Sequence, residues 1–238
     1  MNGFLERTRQ GAQALLGAVG RATREPERAG YLVAADANVL ASAFGVRRVR
    51  RITKPLLMPL LAGRVLRSGA PDTRLGLIGL AGGWAGDLAL MKPGNIPAGA
   101  AGFAVNHGVY IAALLRRGAR PTTTAALLRA LPLGAATALA AVKTPKLLPV
   151  VLGYGGLLAA TSTLADDPAL INPAEPGSYG LSHGGNLFVL SDAVLLGREA
   201  VLEPDSTLGR LADAVVMGTY TIAQLLLIDG LFPDSEAR

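Results

Sequence analysis

The chain has 238 residues, half of them apolar, a mean hydropathy of +0.39 and only 17% charged residues. Soluble domains carry about a quarter charged residues, and here the Arg and Lys residues gather in short polar stretches between helix-length apolar runs. That pattern excludes an ordinary soluble domain and predicts an all-α, polytopic membrane protein in contact with a bilayer. The net charge of +6 and pI near 10.1 come from basic flanks on apolar runs, without aromatic or Gly-Arg interleaving, so no nucleic acid is expected as a partner. The absence of Cys excludes disulfides, thiol nucleophiles and thiolate metal sites. Two histidines, His107 and His183, make a zinc site an unfavourable reading, and no metal is expected.

In chain order, residues 1–30 read as a polar, basic, partly amphipathic N-terminal arm. It is not a signal peptide, because no apolar core segment follows Arg7 and Arg9. The first apolar run, residues 31–46, is short for a span and holds Asp36 and Asn38. Arg47-Arg48-Val49-Arg50-Arg51 reads as a cationic hinge. Lys54-Pro55 opens a second short run to about Leu66, with Arg64 near its end able to snorkel. Longer runs follow at 75–91, with Asp87 as its acid, and at 97–115. Next come 131–142, extended back past Arg129, and 147–165. A Pro-rich polar loop at 166–179 precedes runs at 181–197, holding Asp192, and 211–231, holding Asp213 and Asp229. The expectation is therefore one domain over 31–231, a single bundle of about eight transmembrane helices, closed by a polar tail at 232–238. Lys and Arg divide nearly evenly between the two sides, so the positive-inside rule assigns no orientation. Two overlapping small-xxx-small pairs, Gly79/Gly83 and Gly82/Gly86, fit close helix packing, or simply a glycine-rich composition.

A lone carboxylate inside an apolar run is a functional-site hypothesis by default. Three runs lie between those of Asp87 and Asp192, so their helices cross the membrane in the same direction. Each acid stands ~17 Å along its run at 1.5 Å per residue, and both lie toward the side of Lys92 and Arg198. If they are neighbours, two carboxylates in a low-dielectric pocket cannot easily both ionise, and a protonated acid beside an ionised one is an acid/base pair. Alternatively, each acid separately bonds a backbone group or a nearby Tyr or Ser. Asn106, His107 and Tyr110 share one helix face, and Tyr220 and Gln224 are i, i+4 on another. These residues orient a carboxylate or a water, or make ordinary interhelical hydrogen bonds. Lys54 lies on the same side as Lys92 and Arg198 and would meet a lipid phosphate or anchor its helix at the interface. Gly180-Leu181-Ser182-His183-Gly184 satisfies G-x-S-x-G, but a Pro/Gly loop precedes it where a nucleophile elbow needs a strand.

Five segments resemble the YhhN-like lysoplasmalogenase family in order and spacing: Lys54-Pro55-Leu56, Gly86-Asp87-Leu88-Ala89-Leu90, His107-Gly108-Val109-Tyr110-Ile111, Leu187-Phe188-Val189-Leu190-Ser191-Asp192-Ala193 and Tyr220-Thr221-Ile222-Ala223-Gln224. The resemblance covers about residues 31–231. It implies eight transmembrane helices in a cell membrane and hydrolysis of the vinyl ether bond of lysoplasmalogens to a fatty aldehyde and a glycerophospho headgroup. It places the catalytic acids on Asp87 and Asp192, requires no cofactor, and implies Lys54, Asn106, His107, Tyr110, Ser191, Tyr220 and Gln224 as substrate-binding or supporting residues. The short first runs, the dense Arg47–Arg51 cluster and the long loop at 166–179 depart from the family pattern and bear on headgroup choice and helix count. Two other function classes stay open: a transporter or lipid-binding protein using the acids as proton or cation sites, and a membrane serine hydrolase using Ser182. Neither headgroup nor oligomeric state follows from the sequence.

Overall fold

Helix boundaries in this chain fall where glycine, proline or a hydroxyl cap starts or stops the backbone hydrogen-bond ladder. The computed structural model describes residues 2–203 and 205–234. Among them are nine α-helices and no strand: α1 (Asn2–Arg21), α2 (Pro26–Ala43), α3 (Arg47–Ser68), α4 (Thr73–Leu90), α5 (Ile96–Arg116), α6 (Thr123–Lys143), α7 (Leu148–Ala165), α8 (Leu181–Val201) and α9 (Thr207–Leu231). Gly69, with φ 61°, ends α3 in the left-handed region that a Cβ disfavours. Thr122 caps α6 by accepting from Ala125 N at 3.1 Å, and Ser206 caps α9 by accepting from Gly209 N at 2.9 Å. Short 3-10 turns at Pro168–Leu170 and Pro176–Gly180 give the Pro-rich loop local order.

Among the described residues, four segments are long and apolar enough to cross a membrane: Ile96–Arg116, Thr123–Lys143, Pro145–Ala165 and Thr207–Leu231. The other long helices carry more polar groups, such as Asp36 and Asn38 in α2 and seven basic residues in α3, yet they pack beside the apolar ones. The neighbours run α2, α3, α4, α5, α7, α8, α9 and back to α2, which closes a ring, while α6 lies outside it against α7 and α8. At the start of the chain, α1 packs on the 3-10 turn before α8 and on α9. Of the polar tail expected at 232–238, residues 235–238 lie outside the described residues, and Phe232 is buried.

The Arg47–Arg51 segment is the first turn of α3 and not a hinge. Arginine is a good helix former, and ion pairs hold this turn to the last residues before α9 and to its first turns: Arg47 to Asp205 at 2.8 Å and Arg50 to Asp213 at 3.1 Å. Both glycine pairs of α4 serve close approach. A Cβ on Gly102 of α5 would stand 2.5 Å from Gly86 N and 2.7 Å from Gly82 O, so the two backbones meet where glycine faces glycine. Gly83 meets Met58 of α3 and Asn106 of α5.

One end of the bundle is tied by ions. Arg28 grips Asp229 with two nitrogens, at 2.6 and 2.8 Å, while Arg21 reaches the same carboxylate at 2.7 Å. Arg64 does not snorkel: its side chain is 2% exposed, with Nε 3.4 Å from Asp229 and Nη1 3.2 Å from Asp234. Glu25 adds a bond from Arg28 at 2.7 Å. This network joins α1, α2, α3 and the C-terminal end of α9. Removing one partner of a buried ion pair leaves the others uncompensated, so Asp229→Asn is expected to cost about 3–5 kcal/mol, read as a lowered Tm in detergent.

Candidate active site

Asp87 lies near the C-terminal end of α4, 1% exposed. Tyr220 of α9 donates its hydroxyl to Asp87 Oδ2 at 2.7 Å, and Lys54 Nζ of α3 stands 3.4 Å from Oδ1. Three helices therefore meet at one carboxylate. A buried carboxylate needs such partners, because an uncompensated charge away from water is prohibitive.

Asp192 lies on α8, where Ser191, its neighbour, donates to Val216 O at 3.1 Å and pins α8 to α9. The hydroxyl of Tyr154, on α7, donates to Asp192 Oδ2 at 2.5 Å. Behind that hydroxyl stands His107 of α5, its Nε2 at 3.5 Å from Tyr154 Oη and its Nδ1 at 3.1 Å from Thr161 Oγ1. Thr161 already gives its single proton to Leu157 O at 3.0 Å, so it must accept from His107 Nδ1–H. That assigns the Nδ1–H tautomer from the hydrogen-bond network and leaves the Nε2 lone pair facing Tyr154.

The two acids belong to one neighbourhood. Lys54 interacts electrostatically with both carboxylates. Their tyrosines share an aromatic neighbour: Phe103 lies 5.7 Å from the Tyr220 ring, edge-on, and 6.4 Å from that of Tyr154. Phe188 completes the cluster at 6.1 Å from Phe103 and 5.5 Å from Tyr220. The edge-to-face contacts among Phe103, Phe188 and Tyr220 are attractive beyond their buried area, and they hold the ring whose hydroxyl reaches Asp87, while Tyr154 lies tilted against Phe103.

The environments of the acids differ. Asp192 and Tyr154 line an open apolar groove with a cavity volume of about 120 Å³, walled by α5, α6, α7 and α8. Its other lining groups are hydrocarbon, apart from Arg129 at the end nearer the start of α6. Arg129 is held there by Ser162 at 3.1 Å, Asn186 at 2.8 Å and Asp166 at 3.2 Å. Asp87 does not line the groove; it sits behind the aromatic cluster with Lys54.

Asn106, Tyr110 and Gln224 form a separate chain. Tyr110 donates to Gln224 Oε1, Gln224 donates to Asn106 Oδ1 at 3.1 Å, and Asn106 donates to Gly79 O at 2.8 Å. These bonds tie α4, α5 and α9 together and touch neither acid. Ser182 donates to Asp166 at 2.6 Å from the second residue of α8, preceded by a 3-10 turn and not a strand. That is not a nucleophile elbow.

Sequence reasoning missed Tyr154, Phe103 and the groove. A hydroxyl on the apolar run 147–165 was the only available signal for Tyr154, since its pairing with Asp192 comes from the packing of α7 on α8.

A family model for the YhhN family matches residues 49–231. No curated protein and no solved structure matched the chain. The matched segment runs from the first turn of α3 to the last residue of α9 and so contains both acids, Lys54, both tyrosines and every groove wall. By that match over most of its length, the chain belongs to the YhhN family.

Proposed function

We propose that the protein is an integral-membrane hydrolase that cleaves the vinyl ether bond of lysoplasmalogens, with α2 to α9 all crossing the bilayer. The observation that carries this reading is a carboxyl group, Asp192, on the wall of a groove lined otherwise by hydrocarbon, Tyr154 and Arg129, with a second buried acid, Asp87, paired with Lys54. A single-chain lipid suits such a groove. A vinyl ether, in turn, needs little from an enzyme beyond a placed proton and a stabilised cation.

In this mechanism Asp192, in its acid form, protonates the alkene carbon distal to the ether oxygen. The C=C electron pair takes the proton, and the carbon bonded to oxygen becomes an oxocarbenium ion facing the new carboxylate. Water adds to that carbon and returns a proton to Asp192. The resulting hemiacetal collapses as Asp192 accepts its hydroxyl proton and delivers one to the departing glycerol oxygen, releasing fatty aldehyde and the glycerophospho headgroup. The net change is addition of one water. One acid serving in turn as acid and base follows the logic of carboxylates in glycoside hydrolysis. Asp87 stays behind the rings, where it accepts from Tyr220 and pairs with Lys54. Tyr154 aims the Asp192 carboxyl into the groove, and the His107 ring packs against that of Tyr154 at 5.6 Å.

Asp192→Asn is expected to lower aldehyde release from a lysoplasmalogen by about 10²–10⁴-fold in protein whose Tm is retained. Asp87→Asn is expected to lose most activity while leaving groove binding of a non-cleavable alkyl ether lysolipid intact. Full turnover in either variant would sink the mechanism. Tyr154→Phe removes one charge-assisted bond and is expected to reduce kcat by roughly ten- to a hundredfold with little change in KM, measured on the same substrate.

A further inference from the structure

Two prolines, Pro55 and Pro59, sit inside α3. Proline has no N–H, so Pro59 cannot supply the hydrogen bond that the carbonyl four residues earlier would receive in a regular helix. That carbonyl belongs to Pro55, the residue after Lys54. Its donor comes from the neighbouring helix: Trp84 Nε1, on α4, donates to Pro55 O at 2.9 Å. Trp84 is 41% exposed on the outside of the bundle, where hydrocarbon offers neither group another partner. Three residues further along α4 stands Asp87, facing Lys54.

The two helices are therefore joined twice within one turn, by a neutral bond at residue 55 and by the ion pair at residue 54. At 3.4 Å the Lys54–Asp87 contact is longer than the 2.7–2.9 Å of a well-made charge-assisted bond. A flexible lysine at that range does not set the register of its own helix; the backbone must. We infer that Trp84 is a positioning residue: its indole N–H, received by the carbonyl that Pro59 leaves free, holds the first half of α3 where Lys54 faces Asp87. Trp84 lines neither the groove nor the aromatic cluster, so it acts through Lys54. An indole serving only as an interfacial anchor would turn its N–H toward headgroups and water; this one points at protein backbone.

The proline spacing supplies its own rescue. Trp84→Phe keeps a ring and removes the donor, whereas adding Pro59→Ala gives the Pro55 carbonyl a donor from within α3. Pro59 is exposed, so alanine has room. In full-length protein in detergent, limiting acetic anhydride followed by peptide mass spectrometry reads the acetylation of Lys54 against Lys143 and Lys146, which are exposed. Trp84→Phe is expected to raise the relative reactivity of Lys54 about five- to tenfold, with Tm nearly unchanged. The double variant is expected to return to the native value, and Pro59→Ala alone to match it. Unchanged Lys54 reactivity in Trp84→Phe, or a rise that Pro59→Ala does not reverse, would overturn the inference.

A kinetic arm rests on the hydrolase reading above: kcat for aldehyde release falls about five- to tenfold in Trp84→Phe at constant KM and recovers in the double variant. If the native protein releases no aldehyde from any vinyl ether, the hydrolase reading fails, and the labelling of Lys54 still decides the role of Trp84.

Discussion

A carboxylate inside a helical bundle has no water to fall back on, so every partner must be carried in by another helix. Asp87, Asp192 and Asp229 meet this constraint in different ways, and the order of the helices follows from how they do so. Asp229 is wrapped by three guanidinium groups that arrive from α1, α2 and α3. Asp87 receives a phenol from α9 and an ammonium from α3, and Asp192 receives a phenol from α7. Helix α9 contributes to two of the three, through Asp229 at one end and Tyr220 further in. It is accordingly packed against α2, α3, α5 and α8, and it is the most continuously buried helix in its second half.

The acids and most of the apolar runs were legible in the sequence because both depend on one residue at a time: a charge in hydrocarbon is visible without its partners. The glycine spacing on α4 was legible for the same reason. Features that need two segments were not. The short look of the first two runs came from counting hydrocarbon only; α2 and α3 extend into charged turns whose arginines pair with Asp205, Asp213 and Asp229. Arg64 looked like an interfacial anchor, because its acid lies 165 residues away in sequence. Tyr154 carried no motif, and a groove between α5, α6, α7 and α8 has no signature in any one of them. Spacing grouped Asn106 and Tyr110 with His107, and Gln224 with Tyr220, but the packing regroups them: His107 faces Tyr154, Tyr220 bonds Asp87, and Asn106, Tyr110 and Gln224 form one chain. They face one another and the backbone of Gly79, not the acids.

Prolines inside α3 illustrate the same economy in the backbone. Within a bilayer a carbonyl freed by proline is as demanding as a buried side chain. Its satisfaction by Trp84 turns a local defect of α3 into an interhelical joint one turn from Asp87. The packing of α3 on α4 at that point is closed by the contact of Gly83 with Met58, so steric fit and hydrogen bonding specify the same register.

The unequal settings of Asp87 and Asp192 fit unequal duties in the proposed hydrolysis. A proton donor has to touch the alkene, and only Asp192 opens on the groove. Once it gives up its proton, the groove holds an oxocarbenium ion against a new carboxylate, a charge pair born at contact distance. Charge at the neighbouring acid must not disturb that pair. Lys54 and Asp87, already matched to each other behind the aromatic cluster, leave the site with no net charge either before or after protonation of the alkene. Lysine also has reach enough to lean toward Asp192 when that group is ionised, since it interacts with both carboxylates. An acid pair with no cation beside it would place two negative charges together once Asp192 has given up its proton, and that repulsion opposes the proton release with which the reaction starts. Lys54, paired with Asp87 and within electrostatic range of Asp192, offsets that repulsion, so the placement of α3 on α4 bears on the chemistry proposed for α8.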